Sequence, residues 1–594
     1  MAILSVFSRL VALFGALMLF TSCSNQPQAP IDWTRGDYAP VISYLEDSLQ
    51  AELDIGDIVG LSVALIDDQQ LVWQQGFGYS NLDLDIVTDI NSRYRAGILT
   101  QMLTATAIMQ LVEQGKVTLD QPLVELLPEF TINSRFVSNK PITLRNLLSH
   151  HSGLPANVLG DRQLAFNQML PALQSMYTSF PPNLLQANSN IGYSLLGQII
   201  EKVSGQSYQD YMAAHIFAPL QMNNSSLEVN FSGGAYKRGE LVTEPPLRYI
   251  PAAGLVTNVG DIAEFAKFIH RRGDGLLQHN SVEELLRVQN SDRAMDLGNK
   301  TGLGWRNFER ILSRSIPVLG KAGATYAHRA IILTSPTHKF SVVLMANTAE
   351  ASDSLKLMAT DAMRYGLAAQ NGTYPDYYRP HHTQRANPLP LTPQQLVDQL
   401  PGDYASIAGL IQIEKSQTGD LSMRTLGQNL NLSQNGSSSV RPELSYFGLS
   451  VNLGDYSIMD IYPQTLAGHE LLIGDVEGEK TLLGEKITVK DYPSSLQKFF
   501  GRWVPTEPAA TVWVQIKGIE IHEKSGYLTS SLSTGSGTEL HYPLQALDAN
   551  TAVTLGVGQK LGEYFQFYYQ QGQPRLNYSG LVFRPDSELL VKLD

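Results

Sequence analysis

Apolar and polar positions along this chain follow two periods, one helical and one strand-like, and they change over at identifiable points. Residues 38–53 carry apolar side chains at helical spacing and predict an amphipathic helix. Leu61-Ser62-Val63-Ala64-Leu65-Ile66 predicts a strand, Asp67-Asp68 a turn, and Leu71-Val72-Trp73 the returning strand, with Gly76-Phe77-Gly78-Tyr79 after it. Leu103, Ala107, Leu111 and Val112 mark one face of a helix over 100–114, closed by Gly115. Leu195, Leu196, Ile199, Ile200 and Val203 mark a second over 193–204, stopped by Gly205. Ala330 to Leu333 and Phe340 to Met345 predict two strands joined by a turn at Pro336, and helical spacing returns over 354–365. Strands at both ends of this region, with helices between them, predict one sheet assembled from distant segments.

The pattern shifts after that. Residues 371–393 are rich in Pro, Tyr, His and Asn and predict a linker. Beyond it, short alternating runs separated by turn residues predict an all-β region. That region repeats with a period of about 100 residues. Gly402-Asp403-Tyr404 matches Gly501-Arg502-Trp503, and Ile411-Gln412-Ile413 with Asp420-Leu421-Ser422 matches Ile519-Glu520-Ile521 with Tyr527-Leu528-Thr529. Two small antiparallel barrels related by duplication are expected.

The first residues read differently from all of this. Arg9 precedes a continuous apolar run over 10–20, which is shorter than the about 20 residues a bilayer span needs and fits the apolar part of a secretory signal. Thr21 and Ser22 follow, then Cys23, the single cysteine of the chain, so no internal disulfide can form. Its position resembles the lipobox of bacterial lipoproteins, with Phe20 in place of the usual leucine. Cys23 is therefore the expected lipidation site. The polar, Pro-rich segment after it is a tether, and Ser24 points to the outer membrane, facing the periplasm. The net charge of −13 repels phosphate backbones, so nucleic acid is not an expected partner.

Five stretches in order carry a family resemblance. They are Tyr94-Arg95-Ala96-Gly97 with Glu113-Gln114-Gly115 to Pro122-Leu123; Ile142-Thr143-Leu144 to Ser149-His150-His151-Ser152-Gly153-Leu154-Pro155; Ser189-Asn190-Ile191-Gly192-Tyr193 with Pro219-Leu220-Gln221-Met222; Pro251-Ala252-Ala253-Gly254-Leu255; and Gly302-Leu303-Gly304-Trp305. Together they resemble the serine β-lactamase, class C and DD-peptidase (penicillin-binding) superfamily. The C-terminal repeat is similar to the barrels of its D-aminopeptidase branch. The resemblance implies an α/β domain, an antiparallel sheet flanked by helices with a helical lobe, followed by two antiparallel β-barrels. Its divisions are a signal and lipobox over 1–23, a tether over 24–36, the β-lactamase-like domain over 37–370, the linker over 371–393, and barrels over 394–493 and 494–594.

The same resemblance locates the chemistry and shows it altered. Family members use Ser-x-x-Lys at the start of the long helix, where the lysine, one turn on, takes the serine proton. Ile98 stands at the serine position and Gln101 at the lysine position. Isoleucine has no nucleophilic atom and glutamine no titratable proton. The family's Tyr-x-Asn reads Asn188-Ser189-Asn190, which keeps the asparagine and loses the tyrosine. The family's Lys-Thr-Gly reads Lys321-Ala322-Gly323. Thr100, Ser92, Ser149, Ser152 and Ser189 do not fall where a replacement nucleophile would be needed, and no Gly-x-Ser-x-Gly elbow exists. The adjacent pairs His150-His151 and His381-His382 make no ready chelate, and His328 reads as a cleft or strand residue. No metal and no cofactor is expected.

The expected function is a non-catalytic envelope lipoprotein that binds through the inherited cleft. Asn190, Lys321 and Gly323 are its ligand-binding residues, and Ile98, Gln101 and Asn188 its degenerate catalytic positions. A peptidoglycan-like or D-amino-acid peptide, or an envelope protein, is the expected partner. The alternatives are a serine hydrolase (peptidase, esterase or β-lactamase) with rewired residues, and a purely structural envelope protein.

Overall fold

The computed structural model describes residues 27–594 apart from 57, 139, 159–164, 309–310, 313–315, 376–390, 437, 447–448, 452–454, 477, 507–515, 536, 538, 559–560, 588 and 590–594. Cys23, the signal-like segment, His381, His382 and most of the expected linker lie outside the described residues.

The first domain is built on one antiparallel sheet drawn from both ends of its sequence. Helix α1 (Ala39–Ile55) leads into β1 (Gly60–Asp67), β2 (Gln70–Asn81) and the short β3 (Ile86–Val87). The long helices α2 (Thr100–Glu113) and α3 (Asn190–Ser204) follow within a helical lobe. The chain then returns through β4 (Arg306–Asn307), β5 (Leu319–Ala324), β6 (Arg329–Ser335) and β7 (Phe340–Ala346), and closes with α4 (Ser352–Asn371). The sheet order is β3-β2-β1-β7-β6-β5-β4. Val63 opposes Leu344 where the two chain ends meet, and Lys321 opposes Ile332 further out.

Both faces of this sheet are covered, which is why β7 is apolar at nearly every position rather than alternating. Leu61, Val63 and Leu65 pack with Leu344 against α1 and α4. Ala64, Ile66, Val343 and Met345 face the opposite core with α2, α3 and the helix Val259–His270. Successive side chains pointing to opposite faces sort the strand residues into these two cores.

Beyond the first domain the chain forms two closed eight-stranded antiparallel barrels. The first runs from Gly402–Ser406 to Glu479–Ile487 and closes where Gln428–Asn435 pairs with Ser439–Tyr446. The second runs from Gly501–Pro505 to Leu581–Pro585. The repeat seen in the sequence has a local structural counterpart. Each barrel is entered through a helical turn, Pro393–Gln399 and Ser494–Phe499, and then through a glycine at nearly the same backbone angle, φ +144° at Gly402 and +142° at Gly501. Each next places a buried aromatic two residues on that donates a hydrogen bond back to a carbonyl. Tyr404 Oη donates to Leu400 O (2.7 Å) and Trp503 Nε1 to Phe499 O (3.1 Å).

The barrels are part of the same packed body. Val553 and Tyr564 of the second barrel belong to the core that holds α2 and α3. Phe180, Leu185, Ala187 and Met295 of the first domain share a core with the first barrel. Asn299 Nδ2 donates to Lys480 O (3.3 Å), next to the hairpin turn that joins His469–Val476 to Glu479–Ile487.

One backbone contact positions the entrance of α2 against the sheet. The turn Gly97–Leu99 lies directly on β5. Gly97 has φ +54°, and a Cβ there would come within 2.8 Å of both Ala324 N and Ala324 O. A Cβ on Gly323 would come within 2.0 Å of Ala96 O. Only glycine permits this approach on both sides. Gly323→Ala is expected to cost about 1–3 kcal/mol, as overpacking does. The exposed Ala322→Ser on the same strand is expected to leave stability unchanged. Thermal denaturation followed by circular dichroism compares them, and equal melting temperatures would show that the contact yields freely.

Candidate functional site

The turn, the strand and the first barrel together enclose a cleft of about 540 Å³. Ile98, Asn188, Lys321 and Gly323 line it, so four of the positions singled out in the sequence converge on one space. Ile98 sits in the one-turn helix before α2 and is partly exposed to the cleft. Its side chain presents methyl groups where the family's chemistry needs an oxygen nucleophile.

Gln101, one helical turn on, is fully buried. The backbone N–H of Ser189 donates to His150 Nδ1 (3.2 Å), which leaves the imidazole proton on Nε2. His150 Nε2 then donates to Gln101 Oε1 (3.0 Å). Burial, helped by the charges of Lys321 and His151, holds the His150 pKa well below the ordinary histidine value, so the ring stays neutral. Gln101 is thus an acceptor for a neutral histidine and itself has no titratable proton.

The hydroxyls singled out in the sequence each have a hydrogen-bond partner of their own. Thr100 Oγ1 donates to Gly97 O (2.7 Å) and accepts from Leu255 N–H (3.0 Å). Ser189 Oγ donates to Pro155 O (2.7 Å) and caps α3 by accepting from Gly192 N–H (3.1 Å). Ser92 Oγ bonds Asp89 (3.1 Å), Ser149 Oγ donates to Arg145 O (2.7 Å), and Ser152 Oγ accepts from Leu154 N–H (3.3 Å).

The Tyr-x-Asn positions divide. Asn188 is exposed into the cleft. Asn190 is the first residue of α3 and its Nδ2 donates to Asn157 Oδ1 (2.8 Å). It is not among the residues that line the cleft; Gln186 and Asn188 are. Gln186 is fixed through its backbone N–H, which donates to Asp296 Oδ1 (2.6 Å), and Asp296 Oδ2 lies 2.8 Å from His151 Nε2. These contacts order the segment before α3.

Lys321 is the dominant charge. It is 7% exposed and has no hydrogen bond or ion pair among the described residues. Burial first, and the nearby Arg306 guanidinium second, push its pKa down to about 7. The other ionisable residues lining the cleft are Arg306, Arg329 and Lys356 against Asp353 and Glu479, an excess of positive charge. Sequence reasoning missed Arg306 and Glu479. Arg306 directly follows the Gly302-Leu303-Gly304-Trp305 stretch, a signal that could have found it. Glu479 comes from a barrel hairpin far along the chain, and only the tertiary fold brings it here.

His328 stands outside the cleft. It is fully buried, with Nδ1 3.1 Å from Glu244 Oε1, and Glu244 also approaches Arg95 (3.9 Å). Burial opposes the charge on Glu244, but hydrogen bonds from His328, Thr325 and Ala327, with the His328 charge, hold its pKa down to about 2. Among the described residues no group of three or more His, Cys, Asp or Glu side chains is placed to hold a metal ion.

The chain is similar to known proteins. The Beta-lactamase family model matches residues 45–365. Protein flp of Staphylococcus aureus (strain MW2) is 24% identical over 324 residues, which is 51% of this chain and 62% of that protein, so the chain spans about three fifths of that relative's length. Solved structures of SurE, one of them with D-Leu, are similar at 19% identity with TM-scores of 0.55 and 0.54. They cover 74% of this chain and 97% and 99% of their own. That likeness is one of fold. The family match takes in more than half of the 594 residues and all of the sheet and the turn that form the cleft's first wall, and the chain belongs to the Beta-lactamase family.

Proposed function

We propose that this chain is a catalytically silent member of its family that retains an anionic, D-amino-acid or peptidoglycan-like peptide in the inherited cleft. The observation that carries this reading is the pair Ile98 and Gln101, a methyl-bearing side chain and a histidine-bound amide where a nucleophile and its base belong. The unpaired Lys321, with Arg306, Arg329 and Lys356 nearby, supports an anionic ligand. The D-Leu in a SurE structure of similar fold supports a D-amino-acid component. Cys23 within its lipobox-like surroundings supports a lipid anchor that holds the chain at the bacterial outer membrane, facing the periplasm.

Fluorescent penicillin and fluorophosphonate are expected to leave the purified chain unlabelled, because acylation needs both a nucleophile and a base. In the same expression host, fatty-acid labelling is expected on the wild-type chain and not on Cys23→Ser. Stoichiometric labelling of any serine would replace this reading with a rewired serine hydrolase.

The proton affinity of Lys321 gives a second, independent check. A bound carboxylate favours the ammonium form. The free lysine loses its proton near pH 7, so affinity is full below that pH. Above it, affinity falls by up to about tenfold per pH unit until the pKa of the bound state is reached, and binding takes up a proton. Titration calorimetry with D-alanyl-D-alanine in buffers of different ionisation enthalpy measures both effects. Lys321→Ala is expected to weaken binding and remove the proton uptake, and a pH-independent affinity would place the ligand elsewhere.

A further inference from the structure

A lysine enclosed in a protein interior is normally paired with a carboxylate. Lys321 is enclosed and unpaired among the described residues, yet its side chain forms part of the wall of a cleft large enough for a small molecule. The ionisable groups around that space come from four elements. Arg306 lies on β4, Arg329 on β6, Asp353 and Lys356 on α4, and Glu479 on the barrel hairpin, while the buried His150 stays neutral. The cations outnumber the carboxylates, and Ile98 makes the neighbouring surface apolar. An amine that is short of water and faces another cation is the setting in which a lysine side chain becomes a nucleophile toward carbonyl carbon.

We propose that Lys321 is a reactive amine that condenses with the carbonyl of a small 2-oxo carboxylate in the cleft, with Arg306 holding the carboxylate. The lone pair on Lys321 Nζ forms a bond to the carbonyl carbon, and the oxygen takes up a proton. The resulting carbinolamine loses its hydroxyl group as water and its nitrogen proton to the medium, leaving a carbon–nitrogen double bond. Amine and ketone give imine and one water, with no change of oxidation state. Asp353 and Glu479 line the same cleft and provide carboxyl groups for the proton transfers. The activity requires no serine and does not rest on the cleft's silence toward β-lactams.

The geometry is matched by a proton affinity suited to the step. With its pKa pushed down to about 7, Lys321 is half neutral at neutral pH. An ordinary lysine near 10.4 carries a neutral fraction about a thousandfold smaller.

The test is reductive trapping on the full-length chain. Pyruvate with sodium borohydride at neutral pH is followed by intact mass and peptide mapping. The expected result is one reduced pyruvyl adduct per chain at Lys321, in about tenfold or greater excess over any other lysine, given the difference in neutral fraction. Acetone, which keeps the keto carbonyl but lacks the carboxylate, is expected to trap less efficiently, and Arg306→Gln to lower trapping by pyruvate more than by acetone. Lys321→Arg is expected to lose the adduct. Mapping of the wild-type chain decides the matter even if that variant does not fold. Adducts scattered over surface lysines, or none at Lys321, would overturn the proposal.

Discussion

The cleft depends on a backbone-to-backbone approach that two glycines permit. Gly97 and Gly323 bring the turn before α2 and strand β5 closer than any side chain would allow. That contact sets Ile98 beside the edge of the sheet and holds Lys321 at its side. Tyr94 and Arg95 reinforce it from upstream by pairing with Thr257 and Val256, and Ala96 N–H donates to Leu255 O (2.9 Å). On the proposed reading, this scaffold presents Ile98 where the family resemblance places a nucleophile.

Around this frame two buried polar chains order the segment before α3. Gln101, His150 and Ser189 form a short buried chain that terminates in backbone, and His151, Asp296 and Gln186 form another. Each holds the segment before α3 in place. Lys321 has no hydrogen bond or ion pair among the described residues, and an unpaired enclosed amine is costly enough to call for a functional account. The first barrel contributes to the same space through Glu479 and locks onto the first domain through Asn299 and the shared core around Leu185 and Met295. The first barrel is thus a wall of the site as well as an appended domain.

Much of this was legible in the sequence. The helix over 100–114 and the paired strands near 330 and 340 lie where their periodicity predicts, because long, regular apolar patterns leave little choice. The sequence also placed Ile98 and Lys321 in one site, and both line the same cleft. The boundaries were less so. Helix α3 starts at Asn190, three residues before the expected 193, because Ser189 caps it, and α4 runs through Asn371 into the expected linker. Asn190 carried the family pattern, yet its amide bonds Asn157 instead of lining the cleft, a choice made by a neighbour that no spacing rule names. Glu479 was beyond reach because its role comes from the docking of a barrel.

The central claim is that chemistry was lost at three side chains on a frame that still positions them. Restoring those side chains and measuring the rate of acylation by fluorescent penicillin tests it most directly. Ile98→Ser alone is expected to remain unlabelled, since Gln101 and the neutral His150 provide no base. Ile98→Ser combined with Gln101→Lys and Asn188→Tyr is expected to acquire measurable acylation. Rapid labelling of the single variant would contradict the account, because it would show that another group of the cleft, such as the partly neutral Lys321, replaces the base missing at Gln101.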